Sequence, residues 1–138
     1  MKQSFFELNI NTNGQNLYEF THETLEWIKK NKFSNGVLNL SILHTSASLI
    51  IQENADPDVK TDLLNYFDKL APMNENYIHS TEGKDDMPAH IKSAVTNNQI
   101  SLSIKDRKLL LGTWQGIFLF EHRIYPQNRK IIHHFLGD

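Results

Sequence analysis

The sequence of 138 residues contains no cysteine, which excludes disulfide bonds, a thiolate nucleophile and cysteine-ligated zinc. It also lacks any apolar run near the ~20 residues that are needed to span a bilayer. Glu7 and Asn9 interrupt the apolar residues at the N-terminus, so the pattern of a signal peptide is missing. We therefore expect a cytoplasmic protein that does not associate with membranes.

A strong excess of charge is missing too, because the formal net charge is −2 with neutral histidines. A nucleic-acid partner is therefore not expected. Hydrophobic residues make up 39% of the chain and charged residues 22%, which favours an ordinary globular protein with a single domain over 1–138. The chain does hold seven histidines, and metal binding or proton transfer near neutral pH would depend on them.

Periodic patterns predict about eight strands and three helices. Apolar and polar residues alternate over 4–10, and the Asn-Gly turn that ends at Gly14 suggests that residues 17–20 return as a second strand. Further strands are predicted over 37–44, 48–52, 100–104, 109–123 and 131–136. Helices are predicted after a Thr21 cap, after an Asp56 cap and from Pro88. Hairpins outnumber crossovers, so the prediction is an α+β fold with a mainly antiparallel sheet or sandwich.

The first stretch with unusual polar residues begins at His44, which ends a predicted strand in the same phase as three aliphatic side chains. A buried imidazole there needs a polar partner or a metal, and the spacing alone favours a buried histidine that is bonded to backbone. Glu53 and Asn54 follow at a strand-to-helix junction, a usual place for ligand contacts. Asp56 as the N-cap and Asp58 as an acid in the first turn are both explained by the start of the predicted helix, without a site role.

The second stretch is a polar loop that runs into a predicted helix, where His79 and His90 flank three acids. The dipole of the helix disfavours a protonated ring at His90, and a metal needs a neutral ring. Free N–H groups at the helix start would also suit phosphate. Solvated loop charge is the alternative interpretation, and Asp85 or Asp86 is expected to be an N-cap and not a ligand.

The third stretch is the long apolar strand over 109–123. If its phase continues past Gly116, one face carries Thr113, Gln115, Glu121 and Arg123, and the other carries Trp114, Phe118 and Phe120 as core. Arg123 would suit a phosphate or carboxylate held by two parallel hydrogen bonds, and a pair with Glu121 is equally consistent.

Standard catalytic patterns are missing, including H-E-x-x-H, the Walker loop and G-x-S-x-G. His133 and His134 are adjacent on a strand and point to opposite faces, so at most one belongs to any site. The residues alone therefore indicate a histidine-rich polar site in an α+β domain.

Three motifs in combination connect this chain with a known family. They are His44-Thr-Ser-Ala-Ser-Leu-Ile-Ile-Gln-Glu-Asn-Ala-Asp-Pro-Asp-Val59, Glu82-Gly-Lys-Asp-Asp-Met-Pro-Ala-His-Ile-Lys92 and Leu111-Gly-Thr-Trp-Gln-Gly-Ile-Phe-Leu-Phe-Glu-His-Arg123. With them the chain resembles, over nearly its whole length, the YjbQ-like proteins, also called the secondary thiamine-phosphate synthase family and long catalogued as uncharacterised. Lys84 departs from the proline found in many members.

The resemblance implies a compact α+β fold, a homotrimer and a weak thiamine-phosphate synthase activity. That transferase reaction joins a pyrimidine methyl diphosphate to a thiazole phosphate and releases pyrophosphate, so a phosphorylated small metabolite is the expected partner. The resemblance also implies that His44, His79 and His90 bind a divalent metal. Without cysteine the ligands are N and O atoms, which suits zinc with an open position or manganese, with magnesium as the third option.

The enzyme hypothesis assigns catalytic roles to His44, Glu82, Glu121 and Arg123. It assigns substrate contacts to Thr45, Asn54, Lys84, Gln115 and Arg123. The alternative function is a non-catalytic, phosphometabolite-binding or regulatory trimeric module that uses the same pocket. A third possibility is a structural interaction protein whose polar site closes the trimer.

Overall fold

The alternating segments form strands and the stretches between them form three helices, in a computed structural model that describes all residues 1–138. The strands are β1 (Lys2–Thr12), β2 (Asn16–Glu19), β3 (Gly36–Ile42), β4 (Ala47–Glu53), β5 (Gln99–Lys105), β6 (Lys108–Leu109), β7 (Gln115–Glu121) and β8 (Gln127–Gly137). The helices are α1 (Thr21–Asn31), α2 (Pro57–Leu70) and α3 (Asp86–Ala94). The predicted α+β class with about three helices is confirmed.

Two sheets face each other across the core. The larger sheet has the strand order β1-β8-β3-β5-β6 and the smaller one has the order β2-β7-β4, with antiparallel neighbours in both. Inward-facing side chains alternate along the strands of both sheets, as expected for a sandwich. They include Leu38, Leu40, Leu49, Ile117, Leu119, Ile131 and Phe135, which are fully buried.

Strand β7 is buried on both faces. Ile117 and Leu119 enter the main core, whereas Phe118 and Phe120 pack under α2 with Phe67 among their neighbours. The near-continuous apolar sequence of this strand follows from that double burial. Because it is rigidly packed, β7 fixes the polar residues that come at and after its end.

The predicted strand over 109–123 is wrong in its middle, where a turn separates β6 from β7. The N–H of Gly112 donates to Oε1 of Gln115 at 2.7 Å, and the N–H of Gln115 donates to the carbonyl of Gly112 at 3.1 Å. Trp114 lies in this turn and is 62% exposed, so its predicted place in the core is also wrong.

The expected hairpin between the first two strands does not form. Strand β1 pairs with β8, and β2 pairs with β7 in the other sheet. Gly14, with φ of +94°, still provides the turn, but the chain crosses there from one sheet to the other. Loop chemistry identifies a turn and does not identify the partner of the following strand.

The predicted helix caps have different outcomes. Oδ1 of Asp56 accepts from the N–H of Asp58 at 2.9 Å, which confirms this cap. Phe20, not Thr21, precedes the first helical residue, and the Thr21 hydroxyl donates instead to Glu19 at 2.8 Å. None of the three helices has the length and apolar character that are needed to cross a membrane.

Candidate functional site

Three side chains with metal-binding atoms converge at the start of α3. Asp86 and His90 are four residues apart on this helix and therefore share a face. His79 reaches them from the preceding loop. Oδ2 of Asp86 lies 2.6 Å from Nε2 of His79 and 3.1 Å from Nε2 of His90, and the three potential ligand atoms all lie within 4.8 Å of one another.

The hydrogen bonds of His90 define which of its nitrogens can bind a cation. Its Nδ1 lies 2.8 Å from the backbone carbonyl oxygen of Thr45, which only accepts, so Nδ1 carries a proton. In the neutral ring Nε2 then presents a bare lone pair toward the Asp86 carboxylate. Two acceptors facing each other need a cation, either an extra proton or a metal. A donor bond from the second ring nitrogen to a carbonyl is also the usual support of a metal-bound histidine.

Asp86 is almost completely buried, yet it is held as a carboxylate. Burial raises its pKa, but the hydrogen bond with His79 and the charges of His90 and Arg123 outweigh burial and leave the pKa below its usual range. Its second oxygen, Oδ1, accepts from Nη1 of Arg123 at 2.8 Å. A charged oxygen is therefore available to a cation at neutral pH.

Arg123 is directed at the loop before α3. Its Nε donates to Oδ2 of Asp85 at 2.8 Å, and its Nη2 donates to the carbonyl of Glu82 at 3.0 Å. Asp85 also accepts from the N–H of Ile124, and these bonds lower its pKa despite burial, which acts the other way. Asp85 occupies the N-cap position of α3 but makes no capping bond. Of the two predicted partners, a phosphate or a carboxylate, the Arg123 guanidinium has the carboxylates of Asp85 and Asp86.

Glu121 lies in a buried charge network at the end of β7. Its two oxygens accept from Nε and Nη2 of Arg129 at 2.7 and 2.6 Å, from the hydroxyl of Thr12 at 2.8 Å and from the N–H of Arg123 at 3.0 Å. The carboxylate has no solvent exposure. These four hydrogen bonds use the four acceptor positions of the Glu121 carboxylate. The bond from the N–H of Arg123 also fixes the backbone from which the Arg123 side chain extends.

The structure brings together two of the three predicted metal-binding histidines. His44 is not part of the cluster; its Nε2 accepts from the N–H of Lys130 at 2.8 Å. Burial and the positive charge of Arg129 lower the pKa of His44, so this ring is neutral at neutral pH. It matches the interpretation of a histidine bonded to backbone, and Asp86 takes its place among the potential ligands.

Other predicted residues lie beside the cluster. Thr45 contributes its carbonyl to His90, and Oε2 of the exposed Glu82 lies 3.9 Å from Nε2 of His79. Lys84 lines a depression of about 290 Å³ together with His79. Lys84 and His79 therefore have access to a ligand placed at this depression.

Asn54 and Gln115 lie at the opposite end of the smaller sheet. Gln115 pairs with Glu53, whereas Glu121 pairs with Ala47. Six residue steps along the strand lead from Gln115 to Glu121, which is roughly 20 Å. Asn54 donates to Glu19 at 3.0 Å and Gln115 closes its own turn. Within one chain the strand therefore keeps both residues apart from the histidine cluster, and their contact with a substrate stays a prediction.

Neither Asp86 nor Arg129 was given a place in the candidate site or its supporting network by the sequence analysis. The spacing of Asp86 and His90 by four residues on a helix was a signal for a shared site. Arg129 precedes Ile131 by two residues and so shares its buried phase, which was a signal for a buried ion pair. No local pattern linked either residue to its distant partner.

Fold and site together define an antiparallel α+β sandwich with a His-Asp-His cluster at one end. The family model described as "UPF0047 protein YjbQ-like" matches residues 6–138. A UPF0047 protein of Synechocystis is 48% identical over 132 residues, which cover 95% of this chain and 90% of that one. One from Methanocaldococcus jannaschii is 40% identical, covering 96% of this chain and 94% of its own length.

Solved structures agree with this relationship. A YjbQ/UPF0047 family protein of Clostridium acetobutylicum has a TM-score of 0.88 at 33% identity and covers 95% of this chain and 99% of its own. A conserved hypothetical protein of Thermus thermophilus has a TM-score of 0.85 at 30% identity, with the same shares covered. The chain belongs to the YjbQ-like UPF0047 family.

Proposed function

We propose that His79, Asp86 and His90 hold a divalent metal ion and that the protein is a metal-dependent enzyme acting on a phosphorylated small molecule. One observation carries the proposal, namely that Nε2 of His90 and Nε2 of His79 lie 3.1 and 2.6 Å from the same oxygen of Asp86, an arrangement that needs a proton or a metal ion between the groups. Two imidazole nitrogens and one carboxylate form a donor set suited to zinc, manganese or iron, with positions left open for a substrate. Magnesium prefers more oxygen ligands, so it is the weakest candidate.

The neighbouring residues support a phosphorylated substrate. A divalent ion at the cluster would supply a Lewis acid for phosphate oxygens. Lys84 adds a positive charge at the depression that contains His79. Glu82 is exposed and close to His79, where it would accept a proton from a bound substrate. Pyrophosphate release needs charge stabilisation of this kind, which fits the weak thiamine-phosphate synthase activity implied by the resemblance.

Metal binding is tested first. Protein stripped with a chelator is titrated with zinc and with manganese by calorimetry, and metal content is measured after dialysis. We expect one ion per chain, and an affinity loss of about 10–100-fold or more in His90→Ala and Asp86→Asn. His22→Ala, at an exposed histidine of α1, is the matched control and keeps the affinity. Equal affinity in all four proteins would overturn the metal site.

Turnover is tested next with the pyrimidine diphosphate and thiazole phosphate pair, by measuring pyrophosphate release. We expect metal-dependent release that Asp86→Asn reduces by about 100-fold. If metal binds and no pyrophosphate appears, the enzyme assignment to this reaction is wrong. Thermal stabilisation by unchanged pyrophosphate would then favour the non-catalytic phosphometabolite-binding module.

We also propose that the protein is a homotrimer, as the resemblance implies. The outer face of the five-stranded sheet supports association, because no helix covers it and Phe5, Val37 and Leu136 are 64%, 51% and 46% exposed there. Val37 pairs directly with Leu136 in this sheet. Light scattering is expected to give three times the chain mass, and Val37→Lys is expected to reduce it. We propose separately that the protein is cytoplasmic, and cell fractionation tests this location.

A further inference from the structure

A second concave site lies between the end of α1 and the β5–β6 turn. It has a volume of about 500 Å³, within the range of about 300–1,000 Å³ that is usual for small-molecule sites. Its apolar lining is formed by Leu25, Ile28, Phe33 and Leu109, and its charged lining by Lys29, Lys32, Arg107 and Lys108. We call this site the basic groove. It shares no lining residue with the depression beside His79.

The charge of the basic groove differs from that of the whole chain. Four cations and no acid line the groove, although the protein has a net charge of −2. None of the four makes a salt bridge or a side-chain hydrogen bond within the chain, and the nearest acid in sequence, Asp106, is not part of the lining. Their charges are therefore available to a ligand that brings the opposite charge.

Two of these cations occupy backbone conformations that disfavour a side chain. Lys32 ends α1 with φ of +57°, a position where glycine is the usual residue. Arg107 has φ of +66° in the two-residue turn between β5 and β6, where Asn-Gly or Asp-Gly is preferred. Strain of this kind is found most often at functional sites. The helix dipole accounts for Lys29 but gives no reason for long side chains at these two positions.

The floor of the groove is apolar. Ile28, Phe33 and Leu109 are at most 9% exposed and form the base, whereas Leu25 is 43% exposed and forms an open wall. An apolar ligand segment would cover Leu25, and an anionic group would meet Lys32 and Arg107 at the rim. The site is concave, so it suits a molecule that inserts better than it suits a flat membrane surface.

We propose that the basic groove binds a small amphipathic organic anion, with an alkyl or aromatic body and a phosphate or carboxylate head group. Octyl phosphate and octanoate serve as probes, in a buffer with chelator so that the histidine cluster holds no metal. Calorimetry is expected to show binding of at least one probe about tenfold tighter than octanol or inorganic phosphate. Amide shifts in the NMR spectrum are expected at Leu25 and Leu109 and not at His79.

Variants separate a functional role of the strained cations from a structural role. Lys32→Gly and Arg107→Gly relieve backbone strain, so each is expected to raise the melting temperature by about 2–4 °C while weakening probe binding about tenfold. Lys69→Gln removes an exposed charge elsewhere and is expected to change neither. Asp86→Asn is expected to leave probe binding unchanged, because it affects only the proposed metal site.

Several results would overturn the proposal. Equal binding of octanol would mean that the cations are not used, and unchanged probe affinity in Lys32→Gly and Arg107→Gly would mean the same. A lower melting temperature in both glycine variants would assign the cations to the fold. Binding of anionic phosphatidylserine vesicles without binding of either probe would assign the patch to a membrane surface.

Discussion

Asp86 and Arg123 form an ion pair in which Nη1 of Arg123 lies 2.8 Å from Oδ1 of Asp86. The two residues are 37 positions apart in sequence, one in the first turn of α3 and the other just after the end of β7. It leaves Oδ2 of Asp86 directed at His79 and His90. Arg123 therefore acts as a positioning residue for the proposed metal site.

Removal of this guanidinium is expected to weaken metal binding without removing a ligand. Arg123→Gln leaves Asp85 and Asp86 buried without their cation, so the free energy of unfolding is expected to fall by about 2–4 kcal/mol. Zinc affinity, measured by calorimetry below the melting temperature, is expected to fall about 10–100-fold, because outer-shell partners orient the ligands. Arg107→Gln, at an exposed arginine, is the control and keeps both values. A folded Arg123→Gln protein with wild-type affinity would contradict the positioning role.

The buried pair of Glu121 and Arg129 supports the same end of the sheet. Glu121→Gln is expected to lower the free energy of unfolding in urea by about 3–5 kcal/mol, because it leaves a buried guanidinium uncompensated. The double variant Glu121→Gln, Arg129→Met is expected to recover part of this loss in a double-mutant cycle. If Glu121→Gln keeps full stability and loses only turnover, Glu121 is catalytic as the sequence analysis assumed.

Local patterns predicted the elements well because they arise from neighbouring residues. Alternation identified the strands, and Asp56 before Pro57 identified the start of α2. The partner of each strand depends on contacts far apart in sequence, so the pairing of β2 with β7 could not be derived from the turn at Gly14. Trp114 was misplaced for a related reason, since a turn before β7 interrupts the phase.

The candidate site was predictable only in part. Two histidines could be selected from their polar surroundings near a helix start. The role of Asp86 depends on Arg123, and that of His90 depends on the carbonyl of Thr45, 45 residues earlier. Such partners come together only in the folded chain, so the sequence favoured a helix cap for Asp86. The resemblance assigned His44 to the metal, whereas the residues alone had indicated the kind of backbone bond that His44 makes with Lys130.

Close backbone approach between β3 and β8 makes Gly36 sensitive to substitution. A Cβ there would meet the carbonyl oxygen of Leu136 and, at 2.8 Å, the Cα of Gly137. Backbone atoms in a paired strand do not move easily, so Gly36→Ala is expected to lower the free energy of unfolding by about 1–3 kcal/mol. In the control Gly112→Ala, the new Cβ would lie 3.3 Å from the end of the Gln115 side chain, and we expect a change below about 0.5 kcal/mol. Equal losses in the two variants would contradict this explanation.

Acid sensitivity is expected from two buried histidines outside the proposed site. Burial lowers the pKa of His133 to about 4, and burial with the charges of Lys92 and Arg129 lowers the pKa of His122 to about 3. In the unfolded chain both titrate near pH 6.5, at about the usual pKa of histidine. Between pH 6.5 and about 4 the unfolded chain therefore binds protons that the folded chain does not. Above pH 6.5 this difference leaves the free energy of unfolding unchanged. By pH 5 it is expected to lower the free energy of unfolding by about 2 kcal/mol for each of the two histidines.

Urea unfolding at pH 7.5, 6.5, 5.5 and 5.0 measures how the free energy of unfolding depends on pH. The variant His133→Leu tests the half of this dependence that we attribute to His133. Thr24 still donates its hydroxyl to the carbonyl of Phe20, so the variant leaves no new unpaired donor. Below pH 6 we expect the slope of the free energy of unfolding against pH to decrease by about 1.4 kcal/mol per pH unit in this variant. His134→Leu, on the outer face of the same strand, is expected to keep the wild-type slope. A wild-type slope in His133→Leu would mean that His133 is protonated equally in the folded and unfolded states, and it would place the acid sensitivity elsewhere.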